Sequence, residues 1–281
     1  MKNLIIVDNK DLERKKEIFS KEGKDKIHVV TDFDRTLTKV YVNGKMIPSI
    51  ISILRDGDYI SKDYAEKAHA LYNKYRPIEK DSNIPIKEKK KKMKEWWAEH
   101  FKLLIKSGLN KKHLEIIIKH ENIKFREHAL EFFSILRKFE IPLIIISSSG
   151  LGDAIPMLLK RENCLYSNIH IISNFYRWDK DGKAIGIKKP IIHSLNKEEI
   201  SIKSYPVFNL IKNRKNVILL GDSLDDVGAV KGFDCKNLIK IGFLNEDINK
   251  NLVHYRKKFD VLLLNDTDMN YVIELIKEIV K

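Results

Sequence analysis

Apolar and polar positions along this chain follow two alternating rhythms. The first is a set of short apolar runs rich in β-branched residues: Lys26 to Thr31, Ile141 to Ile146, Ile169 to Ser173, Asn216 to Leu220, Leu238 to Ile241 and Val261 to Leu264. Runs of this kind suit parallel strands covered on both faces. The second rhythm is a helical spacing of apolar residues between the runs, clear over Lys10 to Glu22 and Asp153 to Glu162. Strands alternating with helices predict a doubly wound, mostly parallel α/β sheet of Rossmann-like type.

From Ile47 to Asn122 the first rhythm stops. Tyr64 to Tyr75, Lys87 to Lys106 and Lys111 to His120 have helical spacing, with no strand-like run among them. This predicts a helical cap over residues 47–122, inserted after the first strand, with the catalytic core made of residues 1–46 and 123–281. At 281 residues the chain is long enough for such a core plus an insert. The apolar patch Leu4 to Val7 is too short and too soon acidic for a signal peptide. No apolar run approaches the roughly 18 residues a membrane span needs. The two cysteines, Cys164 and Cys235, are far apart and lack metal-ligand spacing, which reads as a reduced, cytoplasmic protein.

Charge changes the picture little. Lys+Arg 53 against Asp+Glu 39 gives a formal +14. The densest run, Lys87 to Lys94, ends in Trp96 and Trp97 without the glycine or arginine–aromatic interleaving of a nucleic-acid surface. It reads as solvated lysines and a mild field that draws in phosphorylated substrates, with neither nucleic acid nor membrane as an expected partner.

Candidate chemistry gathers where the runs end, the place at which open parallel sheets bind ligands. The first run leads into Asp32-Phe33-Asp34-Arg35-Thr36-Leu37-Thr38. Like charges held two residues apart repel unless a cation lies between them or one is protonated. The second leads into Ser147-Ser148-Ser149-Gly150-Leu151-Gly152-Asp153, which offers hydroxyls and N–H groups to an anion or simply caps a helix. After the third, Lys188 follows Gly182 and Gly186 in a loop; the fourth ends in Gly221-Asp222-Ser223-Leu224-Asp225-Asp226. Together these supply carboxylates for Mg²⁺, hydroxyls and a lysine for phosphate oxygens, and a carboxylate free to attack phosphorus.

These segments resemble the haloacid dehalogenase superfamily of aspartyl-phosphate phosphatases. Within it, Asp32-Phe33-Asp34-x-Thr36-Leu37-Thr38, Gly150-Leu151-Gly152-Asp153, Ile172-Ser173-Asn174-Phe175, Gly221-Asp222-Ser223 and Ile241-Gly242-Phe243-Leu244-Asn245 resemble the cytosolic pyrimidine 5′-nucleotidase family. So do Met93-Lys94-Glu95-Trp96-Trp97 and Ile192-His193-x-x-Asn196-Lys197. The resemblance implies a haloacid dehalogenase core, with Asp32 as nucleophile and Asp34 as general acid and base. It implies Mg²⁺ on Asp32, the backbone carbonyl of Asp34 and Asp222, with Asp226 or Asp225 orienting its waters. Ser148, Ser149 and Gly150 would hold phosphate and Lys188 would balance charge. The serine turn has one residue more before Gly150 than the family pattern, so Ser147 competes with Ser148. In the cap, Glu79 aligns with the carboxylate that reads the base edge. His100 stands where a small or hydroxyl residue is common, and Asp225 replaces a glycine. The implied substrates are pyrimidine nucleoside monophosphates, CMP and UMP; a phosphate held on Asp32 can also pass to a nucleoside, which predicts a phosphotransferase side activity, and a monomer is expected. Trp97 adds 7-methylguanosine monophosphate as an alternative, because its face attracts a cationic base unless it only packs the insert. Another small phosphomonoester, or a binding protein with an inert site, completes the set of readings.

Overall fold

The computed structural model describes residues 3–57, 59–81 and 83–281. The chain opens with β1 (Leu4–Ile6), α1 (Asn9–Glu22) and β2 (Ile27–Thr31), then a hairpin of β3 (Tyr41–Val42) and β4 (Lys45–Met46). Helices α2 (Ile50–Asp56), α3 (Lys62–Lys80), α4 (Ile86–Lys106), α5 (Lys111–Ile117) and α6 (Ala129–Lys138) come next. The core resumes with β5 (Leu143–Ile146), α7 (Ala154–Arg161) and β6 (Ile169–Ile172), followed by a second hairpin, β7 (Tyr176–Trp178) and β8 (Ala184–Ile187). It closes with α8 (Phe208–Ile211), β9 (Asn216–Gly221), β10 (Asn237–Leu244), α9 (Ile248–Arg256), β11 (Val261–Leu264) and α10 (Asn270–Ile279).

Seven strands form one sheet in the order β1-β11-β10-β9-β2-β5-β6, parallel throughout except β1, which runs antiparallel to β11 with Leu4 opposite Leu263. Sequence order runs from β2 outward to β6 on one side and resumes at β9 on the other. The switch point, where such sheets bind ligands, therefore lies between the carboxyl ends of β2 and β9.

Period-two alternation splits each central strand between two cores. Val29, Ile145, Ile218 and Leu220 join one apolar cluster with Leu12, Phe19, Phe132 and Ile276 from α1, α6 and α10. Val30, Ile144, Val217 and Leu219 face the other, with Ile192, Ile200, Val207 and Val230. The first face is covered by long helices, as expected. The second is covered largely by irregular chain, with short 3₁₀ turns at Lys197–Glu199, Ile202–Ser204 and Asp226–Val230 and the single-turn α8.

Two local features differ from the sequence reading. Leu4–Ile6 is an edge strand rather than an isolated apolar patch, because β11 offers it an unpaired edge. The supposed loop holding Gly182 and Gly186 is the β7–β8 hairpin. Asp179 Oδ1 accepts from the N–H groups of Asp181 (2.9 Å) and Lys183 (2.8 Å), and Gly182 takes φ +76°.

Between β4 and α6 the described residues form helices and no strand. α3 packs along α4, burying Tyr64, Tyr75, Met93, Phe101 and Leu104. Helix α4 also meets β8, and its Phe101 ring stands edge-on to Tyr176 at 5.8 Å between centroids. The helical unit is thus attached to the core through the second hairpin as well as through its own chain ends.

Candidate active site

Asp32 lies one residue beyond β2, its N–H donating to Leu220 O of β9 at 3.0 Å. Asp222 follows β9 directly. The next turn doubles back so that Asp226 Oδ2 accepts from the N–H groups of Asp222 (3.1 Å) and Ser223 (2.9 Å). Gly221 is required there, since a Cβ would stand 2.5 Å from Cβ of Asp226. Asp32, Asp222 and Asp226 each bring a carboxylate oxygen within 4.8 Å of the others. Among the described residues the cation bonded to this cluster is Lys197, whose Nζ donates to Asp32 Oδ1 and to Asp226 Oδ1, the latter at 2.7 Å.

The electrostatics follow from crowding. Burial pushes the Asp32 carboxyl up to about 7, with Lys197 opposing and Asp226 and Asp34 reinforcing. Burial, then Asp226 and Asp32, raise Asp222 well above the carboxylate range. Burial also raises Asp34 to about 6, against the pull of Lys197 and Arg35. Burial works to lower Lys197, but Asp226 and Asp32 together hold it above the ordinary lysine value. Three carboxylates against one ammonium leave a deficit of positive charge, and the donors are all hard oxygens. The set fits a divalent cation of the Mg²⁺ type. Both oxygens of Asp226 are engaged by Lys197 and the turn, so Asp32 and Asp222 hold the freer ligand atoms.

The serine turn is fixed from within. Ser147 is buried and its Oγ accepts from the N–H of Ser149 at 3.1 Å, whereas Ser148, Ser149 and Gly150 line the cleft. Asn174, fully buried, donates to Ser149 O (3.1 Å) and Ile192 O (2.8 Å) and accepts from the Ile192 N–H (2.8 Å). Tyr176 Oη donates to Gly150 O at 2.9 Å. Opposite, Arg126 threads the loop after β2, donating to Thr36 O (2.8 Å) and Thr267 O (2.7 Å) and pairing with Asp266 at 2.9 Å.

Lys188 corrects the sequence reading. It is exposed at the end of the β7–β8 hairpin, its ammonium 5.9 Å from the Phe175 ring, and it does not line the cleft. The β7–β8 hairpin occupies the chain between β6 and Lys188 and leaves Lys188 on its outer end. Lys197 enters nine residues later, from a turn stapled by Asn196, whose Oδ1 accepts from the His193 N–H (2.8 Å) and whose Nδ2 donates to Ile191 O (3.0 Å). The signal lay in Ile192-His193-x-x-Asn196-Lys197, where Asn196, a residue type whose side chain bonds nearby backbone, marks a turn immediately before a lysine.

Above this floor a cleft of about 720 Å³ is roofed by Arg55, Tyr72, Arg76, Glu79, Trp96, Trp97 and His100. Glu79 pairs with Arg76 and accepts from Ser194 Oγ at 2.7 Å. The Trp97 ring lies nearly parallel to those of Trp96 (6.1 Å between centroids) and His100 (5.9 Å), and a Cβ on Gly150 would stand 2.9 Å from it. His100 is buried against Tyr64 Oη at 3.1 Å, and burial, then Arg55, pulls its pKa down to about 4. It is therefore a neutral, mostly aromatic element of the roof. Arg55 lies over the Tyr72 ring at 4.4 Å. Arg55, Arg76 and Ser194 were not singled out in the sequence, because nothing local distinguishes them from other polar helix and loop residues.

Residues 35–280 match the family model described as Pyrimidine 5′-nucleotidase (UMPH-1). The human 7-methylguanosine phosphate-specific 5′-nucleotidase is 34% identical over 260 residues, covering 92% of this chain and 86% of that protein. A crystal structure of cytosolic 5′-nucleotidase IIIB bound to cytidine superposes with a TM-score of 0.91 at 29% identity, over 99% of this chain and 94% of the other. A substrate-bound phosphoserine phosphatase, 16% identical, shares the fold at a TM-score of 0.52, over 88% of this chain and 96% of the other.

Proposed function

The chain belongs to the pyrimidine 5′-nucleotidase family and is a 5′-nucleotidase of the haloacid dehalogenase type, and from that premise we propose a Mg²⁺-dependent reaction through an aspartyl-phosphate. The observation that carries the proposal is Asp32 held between Lys197 and the carboxylates of Asp222 and Asp226 at the sheet's switch point. Asp32 attacks phosphorus in line with the leaving 5′-oxygen, splitting one displacement into two. Asp34, poised near 6, gives its proton to that oxygen and then takes one from the water that attacks the acyl phosphate. Ser148 and Ser149 hold phosphate oxygens by their hydroxyls, with Gly150 closing the turn. Lys197, in place of Lys188, balances the charge of nucleophile and phosphoryl group. Mg²⁺, held by Asp32, Asp222 and the carbonyl of Asp34, supplies the missing positive charge when bound. Asp226 is then a positioning group that holds Lys197 and the turn.

Residues 47–122 act as the cap that selects the base. A carboxylate only accepts hydrogen bonds, so Glu79 favours a base edge rich in donors. Guanine presents two adjacent donors, cytosine an amino group and uracil a single ring N–H. The aromatic surface of Trp96 and Trp97 adds attraction for a methylated, cationic purine, roughly 1–2 kcal/mol when desolvated. The expected set of CMP and UMP therefore narrows to amino-bearing bases, with 7-methyl-GMP beside CMP. The relative named for 7-methylguanosine phosphate and the structure bound to cytidine support both choices. We read the enzyme as cytoplasmic, after the cytosolic name of that structure, and as a monomer with a solution mass near 32.9 kDa.

Phosphate release from CMP, UMP, AMP, GMP and 7-methyl-GMP tests the reading. The highest kcat/KM is expected for 7-methyl-GMP and CMP, with turnover abolished by chelation and restored by Mg²⁺. Undiminished turnover after chelation, or equal rates on all five, would contradict it.

A further inference from the structure

Lys197 and its neighbour Glu198 share one 3₁₀ turn and reach in different directions. Lys197 grips Asp32 and Asp226 in the floor. Glu198 grips the cap: its Oε1 pairs with Lys90 of α4 at 2.6 Å, across 108 positions of sequence. Its Oε2 pairs with Lys231, one residue past the turn that begins at Asp226. Gly228, in that same turn, leaves room for this approach, since a Cβ there would come within 3.1 Å of Cβ of Glu198. Lys90 and Glu198 keep only 23% and 30% of their side-chain surface exposed, whereas Lys231 keeps 68%. The pairing with the cap is therefore the better shielded half of the bridge.

Further along the cleft a second link joins the same two units, the bond from Ser194 Oγ to Glu79. Ser194 and Glu198 both flank Lys197 in a segment stapled at Asn196. Cap and charge-balancing lysine are thus attached to one short stretch of chain. We propose that Glu198 is a positioning residue that couples closure of the cap to seating of Lys197, an inference that rests on the phosphatase reading above. Moving Lys90 with the cap moves the turn, and the turn carries the ammonium against Asp32. The Lys87 to Lys94 run then has a task at one of its members: Lys90 is the cap's handle on the floor.

Steady-state kinetics on CMP at 20 mM and 500 mM salt, with wild type and variants at Glu198 and Lys90, test this. Glu198→Gln and Lys90→Glu are each expected to lower kcat/KM by about fivefold at low salt, the scale of one partly shielded ion pair. High salt is expected to bring the wild type toward Glu198→Gln, which is itself nearly insensitive. The exchange Lys90→Glu with Glu198→Lys is expected to recover most of the loss, with Lys231 swinging away into solvent, and Lys94→Met on the same helix to match the wild type. Recovery in the exchange supports the coupling. An active enzyme in which Glu198→Gln keeps wild-type kinetics, or in which the exchange is no better than the single variants, overturns the proposal while leaving the phosphatase reading intact. A wild type without phosphatase activity removes that reading instead.

Discussion

Floor and roof of the cleft are built on different principles. In the floor the carboxylates are set by backbone at the strand ends, Asp32 by β9 and Asp226 by two N–H groups of its own turn, and they in turn hold Lys197. In the roof, side chains on helices hold one another, through the Trp96–Trp97–His100 ring group of α4, Arg55 of α2 over Tyr72 of α3, and Glu79 with Arg76. Phosphoryl chemistry needs charges placed to a fraction of an ångström, which strand ends provide. Base selection needs a face and an edge, which a helical pair provides. The difference teaches where changes in activity and changes in specificity should fall.

The sharpest break separates the two lysines and the two regions. Lys197→Met is expected to lower kcat on every nucleotide by about 10²- to 10³-fold, because it removes the ammonium buried against Asp32, the proposed nucleophile. Initial rates across the nucleotide panel check that the loss is uniform. Glu79→Gln should act in the other sense, lowering kcat/KM on CMP and 7-methyl-GMP by about tenfold while leaving p-nitrophenyl phosphate nearly unchanged. A loss on both substrate types would place Glu79 in the chemistry rather than in selection.

How far the sequence revealed each region follows from the same contrast. Asp32, Asp34, Asp222 and the serine turn were legible because each closes an apolar run, and a strand end leaves little freedom in where a side chain points. Lys188 misled because the intervening hairpin depends on Asp179 bonding its own turn and on packing against α4, which no apolar periodicity announces. Choice between Ser147 and Ser148 rested on which hydroxyl turns inward to bond the Ser149 N–H, a matter of local geometry invisible in the order of residues. The roof was readable as helices. Its inward-facing members were less so, because Arg55 and Arg76 resemble any solvated helix charge until Tyr72 and Glu79 come beside them.

A smaller effect distinguishes the support beneath the floor. His28 is buried in β2 against Phe233, and burial drops its pKa to about 3. Unfolded histidine binds a proton near 6.5 while the folded one does not. Its contribution to stability is therefore present above pH 6.5 and is lost as pH falls toward 3. Urea unfolding at pH 7.5, 6.5 and 5.5 should show the wild type losing stability relative to His28→Leu. The relative slope should approach about 1.4 kcal/mol per pH unit below pH 6.5. Parallel curves would show that His28 protonates in the folded protein. The smallest effect belongs to Lys188→Met, which should leave kcat and KM within about twofold of the wild type, as for an exposed side chain away from the cleft.

The central claim is that Asp32 becomes covalently phosphorylated. Rapid acid quench of enzyme, Mg²⁺ and CMP, followed by peptide mass mapping, measures it directly. An acyl phosphate on the peptide containing Asp32, absent from the Asp32→Asn variant together with turnover, is the predicted result. Turnover in Asp32→Asn, or phosphate trapped on another residue, would contradict the account.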